Sequence, residues 1–160
     1  MLYALTWMAL AQGMEPSAAH TLAVGMGTLN GWAMANIATG SVLALTEEDP
    51  QRAAFHQMNA GWNTVNLALA TASLLRDQPV EPSKLAKVFW INTAVDVGYV
   101  VGGLLLRQQG VQQGRPEWVG WGESIAVQGS FLFVFDGVMG WKMHRWSQPA
   151  PTAWHDPSLY

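Results

Sequence analysis

Residues 24–45 read VGMGTLNGWAMANIATGSVLAL, a run that contains no Asp, Glu, Lys or Arg. The uncharged stretch extends over residues 16–46, where His20 is the one titratable side chain. A helix needs about 20 mostly apolar residues to cross the hydrocarbon core of a bilayer. A helix of a soluble bundle would carry charges on its outer face, and this stretch offers only Thr, Asn and Ser. The pattern therefore predicts a transmembrane helix.

Three further stretches nearly free of charge follow it along the chain. They cover residues 53–75, 88–106 and 124–141, and the last two each contain a single acid, Asp96 and Asp136. The connecting segments are polar and rich in Pro, Gly and Gln, which is typical of water-facing loops. The sequence thus predicts an all-α fold, a four-helix transmembrane bundle. Its spans are expected at about 18–45, 54–75, 86–107 and 122–144.

Both ends of the chain differ from these spans. Residues 1–14, MLYALTWMALAQGM, are apolar but too short to cross a bilayer, which favours a short N-terminal helix lying at the membrane interface. Residues 147–160 contain three prolines and no helical period, so we expect an irregular, extended C-terminal tail. A single transmembrane helical domain is expected over residues 1–146.

Composition excludes several classes of function. Charged residues make up 12% of the 160 residues, against about a quarter in a soluble domain. The net charge is −3 and the eight Lys and Arg form no basic stripe, which excludes nucleic acid as a partner. There is no cysteine, so disulfides, thiolate zinc sites and iron–sulfur clusters are excluded.

The basic residues predict an orientation. We call side A the end of the bundle that holds both termini and the loop between spans two and three, and side B the opposite end. Side A then carries five Lys and Arg and side B three. By the positive-inside rule both termini face the cytoplasm of a multi-pass protein, expected in a bacterial inner (plasma) membrane.

Every span carries polar side chains at membrane depth, and on each span they largely share one helical face. On the second span His56, Asn59, Asn63 and Asn66 fall within about 80° of each other, at 100° per residue. On the third span Asn92, Asp96 and Tyr99 fall within about 60° by the same arithmetic. The candidate polar core, or ligand- and ion-binding, residues are Asn36, His56, Asn59, Asn63, Asn66, Asn92, Asp96, Tyr99, Gln128 and Asp136. Trp32 and Trp62 are the candidate aromatic core.

The two intramembrane acids are costly at this depth, about 2.5–3.5 kcal/mol each if charged and unpaired. Each is therefore protonated, solvated by the asparagines, or holding a cation. The alternative to ion or ligand handling is that Asn, Gln and protonated Asp hold the helices together by hydrogen bonds, with close helix approach at Gly98-x3-Gly102.

A weak internal repeat links the first two spans. Gly31-Trp32-x3-Asn36 reappears as Gly61-Trp62-x3-Asn66, and we expect an indole or amide to bond across this antiparallel helix pair. Asn30 points away from that face and is expected to contact another subunit.

No motif for catalysis is present, so we expect that the protein is not an enzyme. The chain has no phosphate loop, no Gly-x-Ser-x-Gly element and no His-Glu-x2-His metal motif, and no metal site is expected. The Gly-x-Gly-Asp element of intramembrane aspartyl proteases is also missing. Haem, quinone and carotenoid stay open as cofactors, although the histidines lie near the ends of the spans.

Three strings carry a resemblance to a family: FHQMNAGWNTVNLALA at 55–70, AVDVGYVVGGLLLRQQG at 94–110 and GESIAVQGSFLFVFDGVMG at 122–140. They resemble an uncharacterised family of small bacterial four-span membrane proteins, over roughly residues 22–143. The matching pattern includes His56, Asn59, Asn66, Asp96, Gly98, Gln128 and Asp136. The resemblance implies a fold and a location, and it implies no reaction.

The leading functional hypothesis is an accessory or ligand-binding subunit of a membrane complex. Its expected partners are the lipid bilayer and other membrane subunits, or further copies of the chain. The alternative is a small transporter or channel-like protein that moves protons, cations or a small polar solute past Asp96 and Asp136. A weaker alternative is a binder of an apolar ligand held against the tryptophans and FLFVF at 131–135.

Overall fold

The computed structural model describes residues 17–149, which form four α-helices and no strand. The helices are α1 (Ala18–Thr46), α2 (Pro50–Leu74), α3 (Pro82–Gln113) and α4 (Pro116–Ser147). The predicted all-α, four-helix fold is therefore confirmed. The predicted interfacial helix at 1–14 lies outside the described residues, as does the tail from residue 150 onward.

Local sequence signals set the helix ends. The side chains of Ser17 and Asp49 accept hydrogen bonds from the first turns of α1 and α2, as N-capping residues do. Each of the three later helices begins with a proline, whose missing N–H would have no intrahelical partner there. Gly114 ends α3 in the left-handed conformation with φ of 64°.

Helix α3 continues beyond the predicted third span. The segment after Arg107, predicted as a loop, is helical up to Gln113. Its Arg and Gln residues are good helix formers, and Gly110 stays helical because it packs closely against α4. The turn occurs at Gly114, where a positive φ is required.

The helices form two antiparallel hairpins, α1 with α2 and α3 with α4. Helix α4 is central: it packs along α3 and α2 and approaches α1 at fewer positions. Helices α2 and α4 run in the same direction, and α2 and α3 are joined mainly through α4. At side B the Glu123 carboxylate accepts from Arg107 Nε at 2.9 Å and from Gln51 Nε2 at 3.1 Å, which connects α2, α3 and α4.

Close packing of α3 on α4 depends on glycines other than the predicted pair. A Cβ on Gly103 would lie 2.7 Å from the Ala126 backbone nitrogen. A Cβ on Gly98 or Gly102 would meet nothing within 4 Å. The expected close approach at Gly98-x3-Gly102 is thus wrong. The helix crossing lies on the neighbouring face of α3, because Gly103 is rotated about 100° from Gly102.

The distribution of side chains is inverted relative to a soluble bundle. Large apolar side chains are exposed on all four helices, among them Met34 on α1, Val65 on α2, Ile91 on α3 and Val134 on α4. The buried polar or charged residues are Asn59, Asn63, Asn66, Asp96, Ser124, Gln128 and Asp136. Apolar packing is concentrated toward side A, around Met26, Phe89 and Met143.

Two of the four helices, α3 and α4, are long and apolar enough to cross a membrane by length and hydropathy. Helices α1 and α2 were also predicted to be spans, but they do not pass this test. The reason is visible in their sequences, where Asn, Thr and Ser lower the mean hydropathy although neither helix has a charged residue in its middle.

Candidate functional site

A network of amide side chains joins three helices in the half of the bundle nearer side B. Gln128, which is 1% exposed, accepts a hydrogen bond from Trp32 Nε1 at 3.2 Å and donates to Asn59 Oδ1. Asn59 in turn donates to Asn36 Oδ1 at 2.9 Å. Buried amides are stable only when they are paired, so this network fixes the mutual rotation of α1, α2 and α4.

The network continues along one face of α2. Asn63 Nδ2 donates to the Asn59 carbonyl at 2.9 Å, and Asn66 Nδ2 lies 3.4 Å from Asn63 Oδ1. These residues are three and four positions apart, the spacing that brings helical side chains together. The line of amides thus leads from Asn36 to Asn66.

Beyond Asn66 lie the two acids. Asp96 on α3 and Asp136 on α4 are 2% and 6% exposed, and their carboxyl groups lie within hydrogen-bonding reach of each other. Within residues 17–149, no hydrogen-bond partner is present for Asp96 Oδ2. The ion pairs in this part of the chain lie at the ends of the helices, so none neutralises the acids. Two carboxyls in contact therefore need a shared proton or a bound cation.

A cavity of about 230 Å³ adjoins the acids. Its polar lining consists of Asn66, Asn92, Asp96 and Asp136. The remaining wall is apolar or aromatic and comprises Leu29, Trp62, Val65, Leu69, Phe89, Val95, Tyr99 and Leu132. The volume is below the roughly 300–1,000 Å³ of typical ligand pockets. The cavity suits a small ligand, or the polar head of a larger one.

The cavity opens sideways between α2 and α3. Its exposed lining residues are Val65 and Leu69 from α2, and Asn92, Val95 and Tyr99 from α3. The Tyr99 ring packs edge-on against Trp62, with the ring centroids 4.8 Å apart. A molecule entering here would pass apolar and aromatic side chains before it reached the acids.

The structure corrects the predicted positions of two site residues. Asn92 and Tyr99 were expected in the polar core with Asp96, yet both are exposed at the cavity opening. Their stripe is about 60° wide, and the side of it that faces α2 is uncovered because α2 and α3 do not pack closely.

Trp32 and His56 do not line the cavity. Trp32 is half-buried and stacks on Phe131, with centroids 4.0 Å apart and planes 8° apart. His56 is half-buried near side B and has no side-chain hydrogen bond to the described residues. It contacts the Phe55 ring edge-on and lies away from the cavity lining.

Two expectations about the repeat have different outcomes. An amide does bond across α1 and α2, from Asn59 to Asn36, whereas the Trp32 indole bonds to α4 instead. Asn30 was expected to contact another subunit, and within the chain its Nδ2 donates to Thr71 Oγ1 on α2 at 2.9 Å. The helical angle of Asn30 differs from that of Asn36, yet both side chains bond to α2. The angle alone did not show this.

Sequence reasoning identified the polar lining of the cavity together with Trp62 and Tyr99, but it missed the other apolar wall residues. Phe89 lies seven residues before Asp96 and therefore on the same helical face, a spacing that could have been read from the sequence. Leu29 and Leu132 carry no such signal, because they resemble any buried leucine. Among residues 17–149, no three His, Asp or Glu side chains come together as metal ligands.

Comparison with known proteins agrees with the resemblance at the level of the family. Neither the curated proteins nor the solved structures give a match to the chain. A model of a family of unknown function, DUF6992, matches residues 28–137, a range that contains the amide network and both acids. The chain therefore belongs to this family of unknown function.

Proposed function

We propose that the chain is an integral membrane protein that crosses the bilayer four times and binds a ligand at the Asp96–Asp136 cavity as a subunit of a membrane complex. The observation that carries the proposal is the inverted distribution of side chains. Apolar residues face outward on every helix while two acids and four amides are buried. In water this arrangement would expose a large apolar surface, whereas lipid would cover it.

The lengths of α1 and α2 support their inclusion as spans. They contain 29 and 25 residues, against the roughly 20 needed to cross the hydrocarbon core. Their low hydropathy comes in part from Asn36, Asn59, Asn63 and Asn66, whose side chains bond within the bundle. Amides that are satisfied internally are compatible with a lipid environment.

Charge asymmetry supports cytoplasmic termini. Among residues 17–149, the Lys and Arg residues at side A are Arg76, Lys84, Lys87, Lys142 and Arg145, against the acids Asp77 and Glu81. At side B they are Arg52, Arg107 and Arg115, against Glu47, Glu48, Asp49, Glu117 and Glu123. The proposed location is a bacterial inner membrane with the more basic side A in the cytoplasm.

Chemistry at the cavity suggests what the ligand presents. The two adjoining carboxyl groups have no neutralising cation among residues 17–149, so they call for a hydrogen-bond donor or a positive charge. The surrounding wall of Trp62, Phe89 and Tyr99 suits an apolar or cationic body. We therefore propose a small amphipathic ligand whose donor or cationic group meets the acids. No catalytic step is assigned to the site.

Native mass spectrometry of the endogenous protein in mild detergent, with an absorption spectrum of the same sample, tests this proposal. The expected result is a stoichiometric small molecule or partner subunit. Asp96→Asn and Asp136→Asn should lose the molecule, and Glu117→Gln, the same change at an exposed acid, should retain it. A wild-type protein without any bound molecule or partner would contradict the proposal.

Contact between the two acids favours a second candidate function, the transport of protons or cations. The acids lie in the middle of the bundle, and the line of amides reaches from them toward side B. In proteoliposomes, Asp96→Asn with Asp136→Asn should abolish proton or cation flux while leaving the fold intact. Equal flux in the double variant and the wild type would eliminate this candidate.

A further inference from the structure

Two adjoining cavities lie on the face where α1 meets α4, away from the acids. The first, of about 340 Å³ at side A, is lined by Thr21, Trp141, Lys142, Arg145 and Trp146. The second, of about 270 Å³, continues toward the middle of the bundle. Lys142 lines both, so the two form one surface with a basic end and a long furrow.

The basic end carries the chemistry of an anion site. Lys142 and Arg145 are exposed, and neither forms an ion pair with another of the described residues. No acid is among the residues that line this cavity. The Arg145 guanidinium lies over the Trp141 ring at 5.2 Å from its centroid, which leaves its N–H groups free for a phosphate.

Tryptophan shapes the rim of this basic end. Trp146 Nε1 donates to Thr21 Oγ1 at 3.0 Å, a bond that ties the end of α4 to the start of α1. Tryptophans are common at the level of lipid headgroups, where one part of the ring is wet and the other apolar. The basic end of the surface therefore lies at the depth expected of a lipid headgroup.

The furrow itself is almost entirely apolar. Its walls include Val24, Phe131, Val134, Phe135, Val138 and Met139. Its one hydroxyl, on Thr28, donates to the Val24 carbonyl at 2.9 Å and so has its own partner. From Phe131 to Lys142 the helix rises about 16 Å, close to half of the roughly 30 Å hydrocarbon core. The length of the furrow thus matches the thickness of the hydrocarbon core of one leaflet.

We propose that an anionic phospholipid binds along α1 and α4, with its phosphate at Lys142 and Arg145 and one acyl chain in the furrow. The two unpaired cations favour an anionic headgroup over a zwitterionic one. The apolar furrow favours a lipid over a free phosphate ion, because an acyl chain would fill the furrow and a phosphate ion would not. This inference rests on the proposed membrane embedding but is independent of the ligand at the acids.

The test compares phosphatidylglycerol with phosphatidylethanolamine of identical acyl chains, by native mass spectrometry and by thermal shift of the purified protein. Wild type should retain one phosphatidylglycerol, and K142A/R145A should weaken its binding by on the order of tenfold or more. K84A/K87A removes the same charge from side A on α3 and should retain the lipid. Inorganic phosphate alone should give no stabilisation.

A second pair of variants tests the furrow without changing charge. Val134→Trp fills the furrow at an exposed position and should release the lipid. Val127→Trp is the matched control, because Val127 is exposed on α4 outside the furrow. Since the wild-type comparison of the two lipids needs no variant, a poorly folded variant does not remove the test.

The possible failures are distinguishable. Equal binding of both lipids, binding that K142A/R145A leaves unchanged, or equal stabilisation by inorganic phosphate would overturn the inference alone. Release of the chain from membranes by alkaline carbonate would overturn the proposed membrane embedding and the inference together.

Discussion

Gln128 on α4 donates a hydrogen bond to Asn59 on α2, and both side chains are almost completely buried. The two helices run in the same direction, so this bond sets their relative height as well as their rotation. Because Gln128 also accepts from Trp32, one residue connects three of the four helices. Helix packing in this half of the bundle therefore depends on a polar contact.

Replacing Gln128 with alanine should destabilise the fold, because Trp32 Nε1 and Asn59 Oδ1 both lose a partner. We expect a loss of about 1–2 kcal/mol in the free energy of unfolding. Ser130→Ala on the same helix is the control, since the Ser130 hydroxyl is exposed and bonds only to the Ala126 carbonyl. Thermal unfolding in detergent measures both, and similar midpoints for the two variants would contradict this role.

The helix crossing of α3 and α4 gives a second prediction, based on adjacent glycines. Gly103→Ala should lower stability by about 1–3 kcal/mol, because the new methyl group would meet the α4 backbone. Gly102→Ala should be tolerated, since nothing lies within 4 Å of its Cβ position. Thermal unfolding of the two variants measures the difference, and a Gly102→Ala variant as unstable as Gly103→Ala would count against this packing.

The cavity opening gives a third prediction. Val95→Trp places a large ring at the opening between α2 and α3 and should reduce retention of the bound molecule severalfold without unfolding the protein. Val97→Trp adds the same ring to an equally exposed position of α3 outside the cavity lining. Native mass spectrometry compares the two, and equal retention would show that the ligand does not enter through this opening.

Helical periodicity predicted much of the polar core. The stripe of Asn59, Asn63 and Asn66 lies on one face of α2 and is buried as a unit. Asp96 and Asp136 were predicted to face inward, and the structure brings them together. These positions were readable because, in the proposed four-span arrangement, a polar side chain in the middle of a span has few favourable environments other than the bundle interior.

The sequence did not show in the same way which helices lie next to each other. Periodicity shows which residues share a face, but it does not show which helix covers that face. The hydrogen bond from Asn30 to Thr71 was therefore not predicted. The close contact of α3 with α4 was predicted at Gly98 and Gly102 but lies at Gly103. Asn92 and Tyr99 border an uncovered gap between α2 and α3, which depends on tertiary packing alone.

In the proposed topology α1 and α2 cross the membrane together with α3 and α4. The chain contains no cysteine, so single-cysteine variants report on one position each. Met34→Cys and Val65→Cys place a thiol on the exposed faces of α1 and α2, and Gln78→Cys and Gln112→Cys place one at side A and at side B.

The decisive measurement is labelling of these variants in intact membranes with a maleimide that cannot cross the bilayer. No labelling is expected at positions 34 and 65 until the protein is denatured. Labelling is expected at position 112 from outside, and at position 78 only when the cytoplasmic face is open. Rapid labelling at 34 and 65 in intact membranes would contradict the four-span account.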